Sequence, residues 1–132
     1  MSQSQYSILV VDDSQEYLNM VSHYLAELPC SVTLASDGKE GVELFSEGDF
    51  DLVIMDIIMP GMDGVEAMET IRKLETQWSS PPVPILSLSI ESSVETAVQC
   101  INAGATRMII KPVSQRGLHD AVCELLDIDH HL

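Results

Sequence analysis

The sequence predicts an α/β fold in which five strands alternate with five helices around a parallel sheet. Apolar clusters of four or five residues recur along the chain, and between them the apolar positions are three and four residues apart. The first pattern is typical of buried strands, and the second is typical of helices with one apolar face. With 132 residues, 45% of them apolar, the chain has the size of one domain with a single core.

The predicted strands are short apolar segments, and they span residues 7–11, 31–35, 51–55, 84–88 and 107–110. Crossover helices require neighbouring strands to run parallel, with helices on both faces of the sheet. The first and third strands are almost purely apolar, which indicates central positions, whereas the second and fifth contain polar residues typical of edges. This pattern predicts a flavodoxin-like, doubly wound sheet with strand order 2-1-3-4-5 and a functional site at the carboxyl ends of the strands.

The helices follow from apolar positions at helical spacing. In the first, the inward side chains are Leu18, Val21, Leu25 and Leu28, and Pro29 is expected to end the helix. The second and third are predicted over residues 38–46 and 65–75, and residues 77–84 have the composition of a loop. The fourth has one apolar face opposite a wet face, and Gly104 closes it; the apolar face comprises Val94, Ala97, Val98 and Ile101. In the fifth, the apolar face comprises Leu118, Ala121, Val122, Leu125 and Leu126.

The charge of the chain excludes several classes of partner. There are 21 acidic and 6 basic residues, for a net charge of −15, so the surface repels nucleic acids and anionic membranes. No apolar run is long enough to cross a bilayer, and the first residues lack the features of a signal peptide. Three widely spaced cysteines, Cys30, Cys100 and Cys123, are expected to be buried free thiols. Together these features predict a soluble cytoplasmic protein.

Polar side chains stand where the predicted strands end. Asp12 and Asp13 follow the first strand and Asp56 follows the third, while Ser89 and Lys111 follow the fourth and fifth. Adjacent parallel strands bring the three carboxylates together, so either their pKa values are raised or a divalent cation is bound. Oxygen ligands without histidine or cysteine favour Mg²⁺. Such a site suits phosphoryl transfer, with a carboxylate as the nucleophile.

Each of these residues also has a simpler explanation. Asp12 or Asp13 would merely cap the first helix, and Ser89 or Lys111 alone carries no information. Asp56 is harder to explain in this way, because a segment with Pro-Gly and Asp-Gly turn signals, residues 57–64, follows it directly. The coincidence of all four elements at four strand ends favours a functional site.

From about residue 7 to residue 126, the chain resembles the receiver domains of two-component response regulators, the CheY-like superfamily. The resemblance rests on the acidic pair after the first strand, the D-I-I-M-P-G-M-D-G segment from Asp56 and the hydroxyl after the fourth strand. It rests also on the A-G-A before the fifth strand and the Lys-Pro after it. It implies that Asp56 accepts a phosphoryl group from a sensor histidine kinase or a phosphotransfer protein in a phosphorelay.

The resemblance also assigns roles around Asp56. Mg²⁺ would be bound by Asp13, Asp56 and the backbone carbonyl of Ile58, with Asp12 acting largely through water. Lys111 would pair first with Asp56 and then with the phosphoryl oxygens, and Ser89 would donate a hydrogen bond to the phosphoryl group. The Lys111-Pro112 peptide bond would be cis.

The same family logic places the output on the face formed by helix four, strand five and helix five. Phosphorylation would shift an existing equilibrium of the loop and helix after strand four, and this face would contact a protein partner or a second copy in a homodimer. Many relatives carry an aromatic switch residue in strand five, where this chain has Met108. An apolar patch centred on Met108 is therefore an alternative partner surface.

Three side chains are expected to tune the phosphorylated state. In relatives, the side chains at the positions of Ile58 and Glu91 border the path of the water that hydrolyses the phosphoryl group. An apolar Ile58 cannot orient that water. The phosphoryl group is therefore expected to survive longer than it would with a polar residue at position 58. Ile90 either narrows access to the site or simply packs against the fourth helix.

The predicted organisation is an extension over residues 1–6, a receiver domain over 7–127 and a tail over 128–132. No output domain follows in this sequence, so the chain is expected to signal through a protein target, or through an attached output domain if the receiver is part of a longer regulator or hybrid kinase. A phosphorylation-independent pseudo-receiver adaptor is the alternative, but it would lack Asp56, Lys111 or the acidic pair. A flavodoxin-like enzyme would need a phosphate loop rich in Ser, Thr and Gly after the first strand. A dehalogenase-like phosphatase would need acids spaced by one residue, and neither pattern is present.

Overall fold

A computed structural model describes residues 6–128, so most of the predicted extension and tail lies outside the described residues. Five strands alternate with five helices within this range. In chain order the elements are β1 (Tyr6–Val11), α1 (Gln15–Leu25), β2 (Cys30–Ala35), α2 (Gly38–Glu47), β3 (Leu52–Asp56), α3 (Gly64–Trp78), β4 (Ile85–Ser89), α4 (Val94–Ala103), β5 (Arg107–Ile110) and α5 (Gln115–Leu126). Among the described helices, none has the length and apolar character that crossing a membrane requires.

The strands form one parallel sheet in the order β2-β1-β3-β4-β5, which confirms the predicted topology. Val11 of β1 lies beside Met55 of β3, Asp56 lies beside Leu88 of β4, and Ser89 lies beside Ile110 of β5. The carboxyl ends of these four strands are thus level with one another. The residues that follow them gather along one edge of the sheet.

Alternate residues of the strands pack into two apolar layers. Leu9 and Val11 of β1 face a cluster that includes side chains of α2, α3 and α4. Ile8 and Val10 face a second cluster built on α1 and α5. Central strands covered on both faces explain the near-continuous apolar runs in the sequence.

Two helix ends differ from their predicted positions. Helix α1 ends at Leu25, earlier than expected, because the ring of a proline clashes with the carbonyl group four residues before it, and Pro29 stands four residues after Leu25. Helix α3 extends to Trp78, into the predicted loop, and Ser79 ends it in the left-handed conformation with φ of 54°. Gly104 ends α4 with φ of 114°, as predicted.

The apolar face predicted for α4 does not face the core. Val94, Val98 and Ile101 are 78%, 49% and 65% exposed, whereas Cys100 and Ala103 are buried. This helix contacts α3 and the short edge strand β5. Its small side chains face them, which allows a close approach, and the larger branched side chains point outward. Residues 94, 98 and 101 therefore form an exposed apolar surface, which we call the α4 patch.

The predicted burial of the cysteines is correct for two of the three. Cys100 and Cys123 are buried free thiols, while Cys30 at the start of the edge strand β2 is half-buried. Burial raises the pKa of all three thiols, so they remain protonated at neutral pH.

Candidate functional site

Three carboxylates converge at the carboxyl edge of the sheet, as predicted. Asp12 and Asp13 directly follow β1, and Asp56 is the last residue of the neighbouring strand β3. One carboxylate oxygen from each lies within 4.8 Å of the other two. Asp12 and Asp56 are almost fully buried, at 2% and 5% exposure, and Asp13 is exposed. The cluster is therefore buried on the side of the sheet and open to solvent at Asp13.

Lys111 supplies the positive charge of this site. It follows the edge strand β5, and its long side chain reaches past β4 to the two central strands. The Nζ atom lies 3.1 Å from Oδ2 of Asp12 and 3.0 Å from Oδ1 of Asp56. The Lys111-Pro112 bond that follows is cis, as predicted. One ammonium group thus contacts the two buried carboxylates at once.

Tyr17 is a site residue that the sequence analysis missed. The ammonium group of Lys111 lies 4.0 Å from the centroid of the Tyr17 ring, the geometry of a cation–π contact. The Tyr17 hydroxyl accepts a hydrogen bond of 3.1 Å from the backbone N–H of Val113. Tyr17 therefore connects the first turn of α1 to the segment that carries Lys111. An aromatic residue one helical turn after an acidic pair was the signal available in the sequence.

The simple explanation of the acidic pair as a helix cap is wrong. The N-cap of α1 is Ser14, whose hydroxyl accepts from the backbone N–H of Tyr17. Asp12 instead accepts from the N–H of Ser14 through Oδ1, at 2.9 Å, and from Lys111 through Oδ2. Both of its oxygens are thereby oriented, and Asp13 remains the carboxylate that faces solvent.

A tight turn holds the backbone beyond Asp56. Asp63 caps α3 by accepting from the N–H of Glu66, and the N–H of Gly64 donates to the carbonyl oxygen of Ile57. A Cβ atom on residue 64 would lie 2.2 Å from the carbonyl oxygen of Asp56, so only glycine fits there. The Asp-Gly signal in the sequence therefore reflects the close return of the chain to the phosphoacceptor candidate.

Ser89 lies at the same edge of the sheet, as the last residue of β4. It is buried, and its hydroxyl oxygen accepts a 3.0 Å hydrogen bond from the backbone N–H of Glu91. The hydroxyl proton remains available to a further acceptor.

The residues expected to tune the site are mostly exposed. Ile58 and Glu91 line a cavity of about 330 Å³ between the loop after β3 and helix α4, and Ile58 is 52% exposed. Ile90 is 67% exposed, so only a minor part of its side chain is packed against other residues. Met108 is half-buried against the core cluster of α2, α3 and α4, and so it does not centre an exposed patch. The exposed apolar residue of β5 is Ile110.

The electrostatics of the site follow from burial and crowding. The pKa of Asp56 is raised from 3.8 to about 6: burial is the largest cause, the charges of Asp12 and Asp13 add to it, and Lys111 opposes it. For Lys111, burial acts to lower the pKa, but the hydrogen bond and charge of Asp56 and the charge of Asp12 outweigh it, so the pKa is raised. The site thus holds a permanent cation beside a carboxylate that ionises close to neutral pH.

The donor set fits a hard divalent cation. All three converging ligands are carboxylate oxygens, which Mg²⁺ and Ca²⁺ prefer, and a single ammonium group leaves their negative charge only partly balanced. The exposure of Asp13 leaves room for water molecules, which Mg²⁺ retains in most protein sites.

Comparison with known families agrees with this geometry. Residues 8–123 match the sequence profile described as the response regulator receiver domain. Among curated proteins, the transcriptional regulatory protein ZraR of Klebsiella oxytoca is 36% identical over 126 residues, which cover 96% of this chain and 27% of that protein. The sensor protein GacS of Pseudomonas syringae is 32% identical over 87% of this chain and 13% of its own length. The chain therefore spans only a fraction of these relatives.

Solved structures give the same result for the fold. The chemotaxis protein CheY4 of Vibrio cholerae superposes with a TM-score of 0.84 at 33% identity, and the match covers 92% of this chain and 98% of that one. A CheY-like receiver domain from Methanospirillum hungatei superposes with a TM-score of 0.83 at 31% identity, over 92% of this chain and 94% of that one.

The raised pKa of Asp56 predicts a pH-dependent stability. The folded chain holds the carboxyl proton of Asp56 more tightly than the unfolded chain does, so ionisation of Asp56 lowers the free energy of unfolding. The cost is absent below pH 3.8, grows between pH 3.8 and about 6, and is complete above that range. In the absence of divalent cations, Asp56→Asn should therefore raise the free energy of unfolding by about 1–2 kcal/mol at pH 7.5, after allowance for solvent screening, and much less at pH 4.5.

Urea denaturation at several pH values, with a chelator present, measures this difference. Asp49→Asn is the matched control, because Asp49 is exposed and its substitution should have little effect at any pH. A stabilisation by Asp56→Asn that did not vary between pH 4.5 and 7.5 would contradict the prediction.

Two substitutions of Tyr17 separate its two contacts. Tyr17→Phe keeps the ring beside Lys111 but leaves the N–H of Val113 without its acceptor, and it should cost about 1 kcal/mol of stability. Tyr17→Leu also removes the ring and should cost about 0.5–1 kcal/mol more. Equal stability of the two variants in urea denaturation would show that the ring contributes nothing to holding Lys111.

Proposed function

The chain belongs to the family of response regulator receiver domains, and on this premise we propose that Asp56 accepts a phosphoryl group from a histidine kinase or a phosphotransfer protein. The observation that carries the proposal is the position of Asp56, at the end of a central strand, between two further carboxylates and the ammonium group of Lys111. The pKa of Asp56 is raised to about 6, so at pH 7 most of this carboxyl group is ionised and nucleophilic.

The transfer conserves atoms and charge. A carboxylate oxygen of Asp56 forms a bond to phosphorus as the bond between phosphorus and the imidazole nitrogen of the donor breaks, and the electron pair remains on that nitrogen. Lys111 lies 3.0 Å from Asp56 and is placed to balance the charge of the phosphoryl oxygens. The product is an aspartyl phosphate.

Mg²⁺ is the proposed cofactor. Asp13, Asp56 and the backbone carbonyl of Ile58 would hold it directly, and Asp12, whose oxygens already accept from Ser14 and Lys111, would act largely through water. When bound, the ion supplies charge neutralisation for the phosphoryl oxygens.

Ser89 is the proposed link between the phosphoryl group and the rest of the domain. Phosphorylation adds about −1.5 to −2 charge at the site. The Ser89 hydroxyl can donate its proton to this new acceptor while it still accepts from the N–H of Glu91. Movement of Ser89 would shift the equilibrium of the loop that leads to α4.

The proposed output surface is the face formed by α4, β5 and α5. The α4 patch and the half-exposed Ile110 give this face an apolar area in a chain whose surface is otherwise strongly acidic. Such areas are typical of protein contacts. We propose a protein target or a second copy of this chain as the partner, and we assign the contact to this patch instead of one centred on Met108.

The proposed role is that of a signalling domain and not of an enzyme with a separate substrate. Its catalysis would be limited to its own phosphorylation and dephosphorylation, in the cytoplasm, where three free thiols are stable. A pseudo-receiver is not favoured, because Asp56, Lys111 and the acidic pair are all present and in contact distance.

Acetyl phosphate tests the proposal directly. With Mg²⁺, the intact mass of the protein should increase by one phosphoryl group, and chelation of Mg²⁺ should abolish the increase. Asp56→Asn should not be modified, whereas Asp49→Asn, which removes an exposed carboxyl from the other edge of the sheet, should be modified like the natural protein. Modification of Asp56→Asn to the same extent would disprove the assignment, and no modification of the natural protein under any condition would favour a pseudo-receiver.

The lifetime of the phosphoryl group should depend on Ile58. Its apolar side chain lines the cavity beside the site and cannot orient a water molecule. Ile58→Asn should therefore accelerate dephosphorylation several-fold, measured as the decay of the phosphorylated mass after removal of the donor. Ile101→Asn makes the same chemical change on the exposed surface of α4 and should leave the rate unchanged. Equal decay rates of Ile58→Asn and the natural protein would rule out a role for this side chain.

A further inference from the structure

A second cavity opens at the opposite edge of the sheet, where β3 and β4 begin. It has a volume of about 380 Å³ and lies between the loop before β3, residues 48–51, and the loop before β4, residues 79–84. Since the strands between the two edges are five residues long, roughly 17 Å separate this cavity from the carboxylate cluster. The receiver chemistry proposed above uses no residue of this cavity.

Three aromatic side chains line the cavity. The rings of Phe45 and Phe50 are nearly parallel, with centroids 6.4 Å apart and an interplanar angle of 18°. The rings of Phe45 and Trp78 are similarly arranged, at 6.1 Å and 17°. Phe45 is buried, whereas Trp78 is 46% exposed. An apolar aromatic surface of this kind favours a ligand with a flat, weakly hydrated group.

The wall formed by residues 79–84 is fixed in place by Glu75. One carboxylate oxygen of Glu75 accepts a 2.6 Å hydrogen bond from the N–H of Val83, and the other forms a 2.7 Å ion pair with Arg72. The backbone carbonyl of Glu75 accepts from the N–H of Ser80. Three prolines in the wall restrict its backbone further; they are Pro81, Pro82 and Pro84. The cavity is therefore preformed, and the charge of Glu75 is already balanced.

The charge at the cavity is negative. Asp49 and Asp51 line it and are both exposed. Asp51 accepts a 2.8 Å hydrogen bond from the N–H of Ser7, and within residues 6–128 neither carboxylate forms an ion pair. No basic side chain is among the residues that line the cavity. A ligand here meets two unbalanced carboxylates beside an aromatic surface.

We propose that this cavity binds an arginine side chain of a partner protein. A guanidinium group is planar, stacks on aromatic rings and donates several hydrogen bonds to carboxylates, so it matches both features of the cavity. A lysine ammonium is more strongly hydrated and cannot stack, so it fits less well. Anionic ligands are repelled. The partner would approach the edge opposite Asp56, which leaves the proposed phosphorylation site open.

Trp78 makes the proposal directly measurable, because it is the only tryptophan in the chain. Its fluorescence and its indole N–H signal in NMR spectra report on the cavity alone. The unphosphorylated protein would be titrated with N-acetyl-arginine amide, with the lysine analogue and with the uncharged citrulline analogue. We expect a saturable change with the arginine probe in the millimolar range, a several-fold weaker response to lysine, and none to citrulline.

Matched variants distinguish specific binding in the cavity from general attraction of a cationic probe to the acidic surface. Asp49→Asn combined with Asp51→Asn should weaken arginine binding several-fold, and Asn at position 51 can still accept from Ser7. Glu69→Gln combined with Glu95→Gln removes the same charge from exposed helix faces and should leave binding unchanged. The proposal is overturned if citrulline binds as well as arginine, if the two double variants weaken binding equally, or if the natural protein shows no saturable response. None of these results depends on phosphorylation, so each is distinct from a failure of the Asp56 assignment.

Discussion

The arrangement of this domain depends on the crowding of three carboxylates at the carboxyl ends of two adjacent strands. Asp12 and Asp56 are held in the protein with little exposure, and like charges so placed repel unless something balances them. Lys111 supplies that balance from the far edge of the sheet. The balance is incomplete, and burial, helped by the charges of Asp12 and Asp13, keeps the pKa of Asp56 raised to about 6.

Several parts of the fold act to keep this crowded group in place. Asp12 is oriented by the first turn of α1, Lys111 lies against the ring of Tyr17, and the turn beyond Asp56 closes tightly over Gly64. These contacts come from separate parts of the chain and meet at one edge of the sheet. Together they hold the carboxylates and the ammonium group of Lys111 at the distances that the structure shows.

The strand order and the acidic cluster could be predicted because they depend on local patterns. Apolar runs mark buried strands, and parallel neighbours bring the residues after them together. The orientation of α4 could not be predicted in this way. Its sequence shows an apolar stripe at Val94, Val98 and Ile101, but periodicity does not say whether the fold covers that stripe, and here α4 packs through Cys100 and Ala103. An apolar helix stripe that is exposed and one that packs on the core have the same spacing in the sequence.

By itself the sequence determined the α/β class, the parallel strand order and the convergence of Asp12, Asp13, Asp56 and Lys111, since these follow from hydrophobic periodicity and from residues at strand ends. Only the tertiary structure decided that Tyr17 lies against Lys111, that the α4 patch is exposed, and that Phe45, Phe50 and Trp78 line a cavity beside Asp49 and Asp51. The physical reason is that local patterns determine each helix or strand and the spacing of its apolar residues. Contacts between elements distant in the chain depend on how the packed layers meet.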